Sequence, residues 1–273
     1  MKNFHIIYLV LFILFGCSEP ELALDNQFDP SNPDYISPET SILYTNPPLV
    51  GNISSVNSII VHFEGNELNM DFQYKVDNKE WSDWSGLPFA TFSYFDEGEH
   101  IVLVKGRYLS GTIEENPDTL LFIVDAIQGN SLRINRLQTE VDELGIFTVE
   151  IVAEEVVGLS GAGISIIYNS SALSLTGDSL TIGPFLSQND ESVLSFYSVS
   201  EYAGYTTISL NIATLDPDFN FVSGTGVIAT LEFIANSNGL WTIEFSENET
   251  TLRGPSNNII PIDELVEGLI NVQ

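Results

Sequence analysis

A period of two residues in the apolar positions of short stretches is the feature that most limits how this chain can fold. One stretch places Ile59, Val61 and Phe63 on one face and Ile60, His62 and Glu64 on the other. A period of two residues matches the β-strand, in which successive side chains point to opposite faces of a sheet. Similar stretches recur, separated by turn residues, at 72–76, 120–124, 147–151, 208–212, 227–233 and 268–272. The pattern predicts an all-β protein built from short strands with one buried face.

The strands fall into two blocks, at 39–126 and 131–273, joined by a short link that contains Gly129. A chain of this length suggests two domains by the usual size of a folded unit. Several short strands with turns between them and no convincing helix are typical of β-sandwiches. We therefore expect two β-sandwich domains in series.

The first block carries an ordered set of short motifs. FQYKVD stands at 72–77, WSDW at 81–84, DEGEH at 96–100 and VKGR at 104–107. Together they resemble the immunoglobulin-like domains of bacterial surface and sensor proteins. The resemblance implies a domain that spaces or supports another one, and fold resemblance alone assigns no ligand.

The second block carries a second set. VGLSGA at 157–162 leads into YNSSAL at 168–173, GTGVIATLEF follows at 224–233, and GLINV lies at 268–272. In this order the segments resemble the cohesin family, with Asn169 where the family usually has Asp. The resemblance implies a nine-stranded jelly-roll sandwich that binds dockerins, the calcium-dependent helical modules of polysaccharide-degrading enzymes, through one sheet face. It does not extend to the contact residues, because the strands that would face a dockerin diverge.

Direct glycan binding is the alternative function, since flat aromatic rings can stack on sugars. Tyr197, Tyr202 and Tyr205 cluster in a stretch that predicts a hairpin with its turn near 203–204, which would leave Tyr202 exposed. Trp81 and Trp84 are a second candidate platform. For both groups, packing across strands or at a sheet edge is the competing structural interpretation.

The N-terminus is similar to a bacterial lipoprotein signal. An apolar run ends in LFGC at 14–17, and Cys17 is the only cysteine. We expect a signal peptide at 1–16, a lipid attached to Cys17, and a Pro-rich, disordered tether at 17–38. Such a protein would be anchored by lipid at the bacterial outer membrane or cell surface, outside the cytoplasm.

Charge and composition exclude some classes of function. The chain has 38 acidic and 8 basic residues, a net charge of −30, which excludes nucleic acid as a partner. Its three histidines form no catalytic pattern, and the acids are too numerous for any pair to indicate a glycosidase, so we expect no enzyme.

The acidic segment at 216–220 partly matches a calcium-binding loop. Asp216, Asp218 and Asn220 follow the start of a calcium-loop pattern, but Phe221 and Val227 replace its glycine and its bidentate glutamate. We expect no cofactor in the chain, with calcium in the dockerin partner and a looser site at 216–220 as the open alternative.

Overall fold

The computed structural model describes residues 26–177, 180–188, 192–215 and 220–273. The predicted all-β class and the two sandwiches are confirmed: within these ranges the helical residues are confined to two short 3₁₀ turns, Phe185–Ser187 and Pro255–Asn257. None of the helices in the described part of the chain is long and apolar enough to span a membrane. The predicted signal peptide and Cys17 lie outside the described residues.

The first sandwich has seven strands in two sheets. One sheet has the order β1-β3-β5 and the other the order β2-β7-β6-β4, with β2 parallel to β7. The predicted inward residues Ile59, Val61 and Phe63 are buried between the sheets. The strands are β1 (Thr40–Asn46), β2 (Ile53–Ser54), β3 (Ile59–Gly65), β4 (Asp71–Val76), β5 (Phe89–Phe92), β6 (Gly98–Arg107) and β7 (Asp118–Val124).

The expectation of a disordered tether does not hold for residues 26–38. The ring of Phe28 meets that of Tyr108 edge-on, with centroids 5.2 Å apart, and the Tyr108 hydroxyl donates to the carbonyl of Ile36 at 3.1 Å. Tyr35 also packs on the core of the first sandwich. The expectation was based on the turn-forming prolines of this stretch. Its aromatic residues nevertheless pack against the first sandwich and hold it there. Residues 17–25 lie outside the described residues.

Among the described residues, the second sandwich has a sheet of six strands and a sheet of eight. Several strands have only two or three residues, so the described segments exceed the nine strands of the expected jelly roll. They are β8 (Ser131–Asn135), β9 (Gln138–Val141), β10 (Ile146–Leu159), β11 (Gly161–Asn169), β12 (Leu173–Leu175), β13 (Thr181–Ile182), β14 (Val193–Tyr202), β15 (Tyr205–Thr214), β16 (Val222–Ala235), β17 (Gly239–Phe245), β18 (Thr251–Arg253), β19 (Ile259–Ile260), β20 (Leu265–Val266) and β21 (Gly268–Val272).

Each sheet of the second sandwich has one main series of neighbouring strands, with short strands beside it. The six-stranded sheet runs β12-β16-β10-β8-β20, with β13 beside β16. The eight-stranded sheet runs β14-β15-β11-β17-β21-β9, with β18 beside β11 and β19 beside β18. The inward side chains of both sheets form one apolar core.

Phe233 lies at the centre of this core. Its ring meets Tyr168 edge-on at 5.1 Å and stacks on Phe147 at 5.6 Å. The expected alternation along β16 shifts at Ile228, where a bulge against β10 buries an extra residue and leaves Val227 only half-buried.

Two glycines, Gly224 and Gly226, lie inside β16. Gly224 has a φ of +110°, a conformation that favours glycine. At Gly226 a Cβ atom would collide with the ring of Phe185, so this glycine lets the 3₁₀ turn pack against the sheet.

Polar contacts fasten the junction between the sandwiches. The carboxylate of Glu97 accepts the backbone N–H groups of Ala126 at 3.1 Å and Ile127 at 3.2 Å, and Ile127 is buried. Asp96 Oδ1 accepts the N–H of Leu137, in the second sandwich, at 2.7 Å. Burial raises the pKa of Glu97, opposed by these hydrogen bonds. The first sandwich therefore makes hydrogen bonds both to the short link and to the second sandwich.

Candidate binding face of the second sandwich

Three neighbouring strands at one end of the eight-stranded sheet are almost free of charge. Strands β14, β15 and β11 have 10, 10 and 9 residues, and Glu201 is their only Asp, Glu, Lys or Arg. In a chain with 17% charged residues, 29 residues would carry about five. Depletion of charge is the compositional signal of the core of a protein interface.

Strand register decides which side chains share the outer face. Phe196 lies opposite Asn211, which lies opposite Gly163, which lies opposite Thr251. The next row is Leu194, Ala213, Gly161 and Arg253. Both rows combine a large apolar side chain on β14 with small residues on β15 and β11.

The small residues create a shallow depression of about 390 Å³. Gly161 and Gly163 form part of its floor because they carry no side chain. Leu194 and Phe196 border it on one side and are 59% and 63% exposed. Large exposed apolar groups beside a depression favour contact with another molecule.

Charged groups lie at the border of this face. Arg253 lines the depression, and its guanidinium donates to the carbonyl of Asn257 at 3.4 Å. Glu244 is exposed opposite Ile167, and Glu249 accepts the hydroxyl of Ser165 at 2.9 Å. An uncharged centre with a charged rim is the arrangement expected of a protein-docking surface.

The tyrosine cluster forms the predicted hairpin. Tyr202 pairs with Tyr205 across a two-residue turn in which Ala203 has a φ of 53° and Gly204 of 84°. Tyr202 is 87% exposed and shares the outer face with Tyr205, whereas Tyr197 points to the other side of the sheet because it differs from Tyr202 by an odd number of residues. The structure brings two of the three tyrosines together.

Trp81 and Trp84 lie in the first sandwich, where basic side chains cover them. Lys105 Nζ lies 4.0 Å from the ring centre of Trp81, and the guanidinium carbon of Arg107 lies 4.6 Å from that of Trp84. Both rings are half-buried. A ring face that stacks on a cation is occupied, so this placement favours the structural interpretation.

The weak calcium pattern is only partly described. Asp216 and Asp218 lie outside the described residues, and the side-chain amide of Asn220 donates to the carbonyl of Leu215 at 2.8 Å. Among the residues that the structure describes, no group of three or more His, Cys, Asp or Glu is placed to hold a metal ion.

Sequence reasoning missed the residues that shape the depression, namely Leu194, Phe196, Gly161 and Gly163. The scarcity of charge was a visible signal, since 161–169 carries none and 193–214 carries only Glu201. It indicates one surface only when β11, β15 and β14 are known to be neighbours.

The fold and this face define an all-β protein with a candidate protein-binding surface. No protein-family model and no curated protein matches the chain. It is similar to solved cohesin structures. A non-cellulosomal cohesin from the archaeon Archaeoglobus fulgidus has 14% identity and a TM-score of 0.41 over 54% of this chain and 92% of the other.

Two further structures give the same result. For a type I cohesin–dockerin complex from Clostridium thermocellum, the identity is 17% and the TM-score 0.43 over 54% of this chain and 100% of the other. For a type II cohesin domain of Acetivibrio cellulolyticus, the values are 17% and 0.43 over 53% and 96%. At such low identities and TM-scores the likeness decides neither partner nor site.

Proposed function

We propose that the chain binds a dockerin-bearing protein through the outer face of β14, β15 and β11. It would act by non-covalent recognition, without catalysis. The observation that carries the proposal is the uncharged face with its depression, in a chain of net charge −30. The class of partner comes from the cohesin-like motifs at 157–173, 224–233 and 268–272. A link to extracellular polysaccharide breakdown follows from the enzymes that carry dockerins.

Exposed apolar side chains supply the driving force in this proposal. Leu194 and Phe196 are more than half exposed, and covering both would contribute about 1–2 kcal/mol each. Asn211 and Thr251, on the same face, provide hydrogen-bonding groups that carry no net charge. Arg253 at the rim would orient an acidic group of the partner.

The experiment is a capture from the extracellular proteins of the producing organism. The baits are the wild type, Phe196→Asp, and the control Leu121→Asp, which changes a 63% exposed leucine on β7. We expect the wild type and the control to retain a protein with a duplicated calcium-loop helix module, and both to lose it when calcium is chelated. Phe196→Asp should not retain it. Equal capture by all three baits would contradict the proposed face.

Direct glycan binding is the second candidate, and the exposed pair Tyr202 and Tyr205 is the observation that favours it. In the same experiment, recovery of polysaccharide without a dockerin-bearing protein would support this function. Tyr202→Ala would then weaken retention, because stacking on a sugar needs the ring.

We also propose that a lipid on Cys17 attaches the protein to the bacterial surface. The apolar run at 4–15 and the LFGC motif support this, and the acidic Glu19 and Glu21 after the cysteine favour an outer location. Cys17→Ala should move the protein from the membrane fraction to the soluble fraction. Retention of the variant on membranes would contradict the anchor.

A further inference from the structure

Strand β14 is an edge strand that no other part of the described chain covers. It stands at the end of the eight-stranded sheet, beside β15 alone. Residues 194–202 are exposed on both faces of the strand. The five large apolar residues among them are Leu194, Phe196, Tyr197, Val199 and Tyr202.

Hairpin geometry shows which backbone groups are free. In a two-residue hairpin the residues that flank the turn exchange backbone hydrogen bonds, so Tyr202 bonds to Tyr205. Along an antiparallel pair such bonds recur at every second residue, so every second residue of β14, counted from Tyr202, bonds to β15 in the same way. The N–H of Leu215 donates to the carbonyl of Ser192 at 2.9 Å, in agreement with this alternation. The even-numbered residues of β14 therefore bond to β15. Those at 193, 195, 197, 199 and 201 direct their N–H and C=O groups away from the sheet.

Natural edge strands carry features that prevent pairing with another chain. These features are lysines, prolines, bulges and short length. Strand β14 has ten residues, no Lys, Arg or Pro, and an unbroken register with β15. An edge of this kind is ready to pair with a further strand.

We infer that β14 pairs with β14 of a second copy of this chain, antiparallel, about a two-fold axis at Tyr197. Two chains that each carry a charge of −30 repel each other, so their contact has to use an uncharged strip. The edge of β14 is such a strip, with Glu201 as its one charge. A basic partner would instead require an acidic edge.

The two-fold register keeps the charged residues apart. It places Phe196 opposite Ser198, Leu194 opposite Ser200, and Glu201 opposite Val193, so the two glutamates lie at opposite ends of the contact. On the axis itself, Tyr197 lies opposite Tyr197 of the other copy. The five free residues of each strand face those of the other strand, which gives about ten backbone hydrogen bonds.

Length and charge set the expected strength of the dimer. Ten residues span about 34 Å, and a contact along one strand edge belongs to the small interfaces, below about 1,200 Å². We therefore expect a dissociation constant of about 1–100 μM. Because salt screens the repulsion between the two acidic chains, the dimer should become stronger as ionic strength rises.

Analytical ultracentrifugation of residues 18–273 tests the inference, since this chain lacks only the predicted signal peptide and its cysteine. We compare the wild type, Val199→Pro and the control Leu121→Lys at low and high salt. Proline at 199 removes an N–H that points away from the sheet, so folding should be retained, as circular dichroism can verify. The wild type and the control should dimerise more strongly in high salt, and Val199→Pro should stay monomeric. A monomeric wild type at several hundred micromolar protein would overturn the inference.

A cross-link tests the register itself. Residues 18–273 contain no cysteine, and the two-fold axis places residue 197 opposite itself, with Cα atoms about 5.5 Å apart. Tyr197→Cys should form a covalent dimer on oxidation, and Leu121→Cys should not. Equal cross-linking of both would overturn the pairing. Val199 differs from Phe196 by an odd number of residues, so its side chain lies on the side of the sheet opposite to the docking face. Val199→Pro should therefore still capture the dockerin-bearing protein even though it fails to dimerise.

Discussion

Replacing Arg133 by Met tests how this acidic chain uses one of its few cations. Arg133 on β8 and Glu154 on β10 form a buried ion pair, with Nε and Oε2 2.7 Å apart and side chains 8% and 9% exposed. The Arg133 guanidinium also donates to Asn135 Oδ1 at 2.7 Å, and the Thr225 hydroxyl donates to Glu154 Oε1 at 2.5 Å. Without Arg133, the buried Glu154 carboxylate loses its cation and keeps only the hydrogen bond from the Thr225 hydroxyl.

The magnitude follows from the burial of the remaining charge. Two unit charges about 4 Å apart attract by about 4 kcal/mol at an effective dielectric constant of about 20. Breaking a buried pair from one side typically costs about 3–5 kcal/mol, while replacing both partners by apolar residues is often close to neutral. We expect Arg133→Met to lower the free energy of unfolding by about 3–5 kcal/mol, and the double variant Arg133→Met/Glu154→Leu to recover at least about 2 kcal/mol of that loss.

Urea denaturation measures these changes. Trp241 reports on the second sandwich when Trp81 and Trp84, both in the first, are replaced by Phe. A loss of about 4 kcal/mol should shift the midpoint by about 2 M urea. A cost below about 1 kcal/mol for Arg133→Met, or a double variant less stable than the single one, would contradict a buried ion pair at this position.

Three further changes have defined outcomes in the same urea assay. Phe233→Ala should lower the free energy of unfolding of the second sandwich by about 3–5 kcal/mol, because it opens a cavity at the centre of the core; a loss below about 2 kcal/mol would contradict its position. Ala203→Asn should stabilise by about 0.5–1 kcal/mol, because asparagine tolerates the positive φ of 53° at this turn, and no gain would argue against the turn. Burial raises the pKa of Glu97 in the folded state above its ordinary value of 4.5. At a pH just above 4.5, the folded chain therefore binds more protons than the unfolded chain. Relative to Glu97→Gln, the wild type should therefore become more stable as the pH falls from 7 toward 5, and a difference that does not change with pH would contradict this burial.

The stretches with a period of two in the sequence coincide with seven of the described strands, β3, β4, β7, β10, β15, β16 and β21. Ile59, Val61 and Phe63 are buried as expected, and so are Leu231 and Phe233. Alternation is a local property that reflects one buried face, so it can be read without knowledge of strand order. The bulge at Ile228 depends on the pairing of β16 with β10 and could not be predicted in this way.

The candidate site was harder to predict because it depends on non-local pairing. The hairpin at 203–204 was visible in the sequence, but the depression needs Gly163 on β11 beside Asn211 on β15 and Phe196 on β14. These residues are far apart in the chain. The packing of Phe28 on Tyr108 was missed for the same reason.

Calorimetric titration of the captured dockerin-bearing protein with the wild type, Phe196→Asp and Leu121→Asp measures whether the face formed by β14, β15 and β11 contacts the partner. A buried charge without a partner is costly, so Phe196→Asp should weaken binding at least about 100-fold, whereas Leu121→Asp should change it less than about twofold. Equal affinities for all three proteins would show that the face formed by β14, β15 and β11 is not the docking surface.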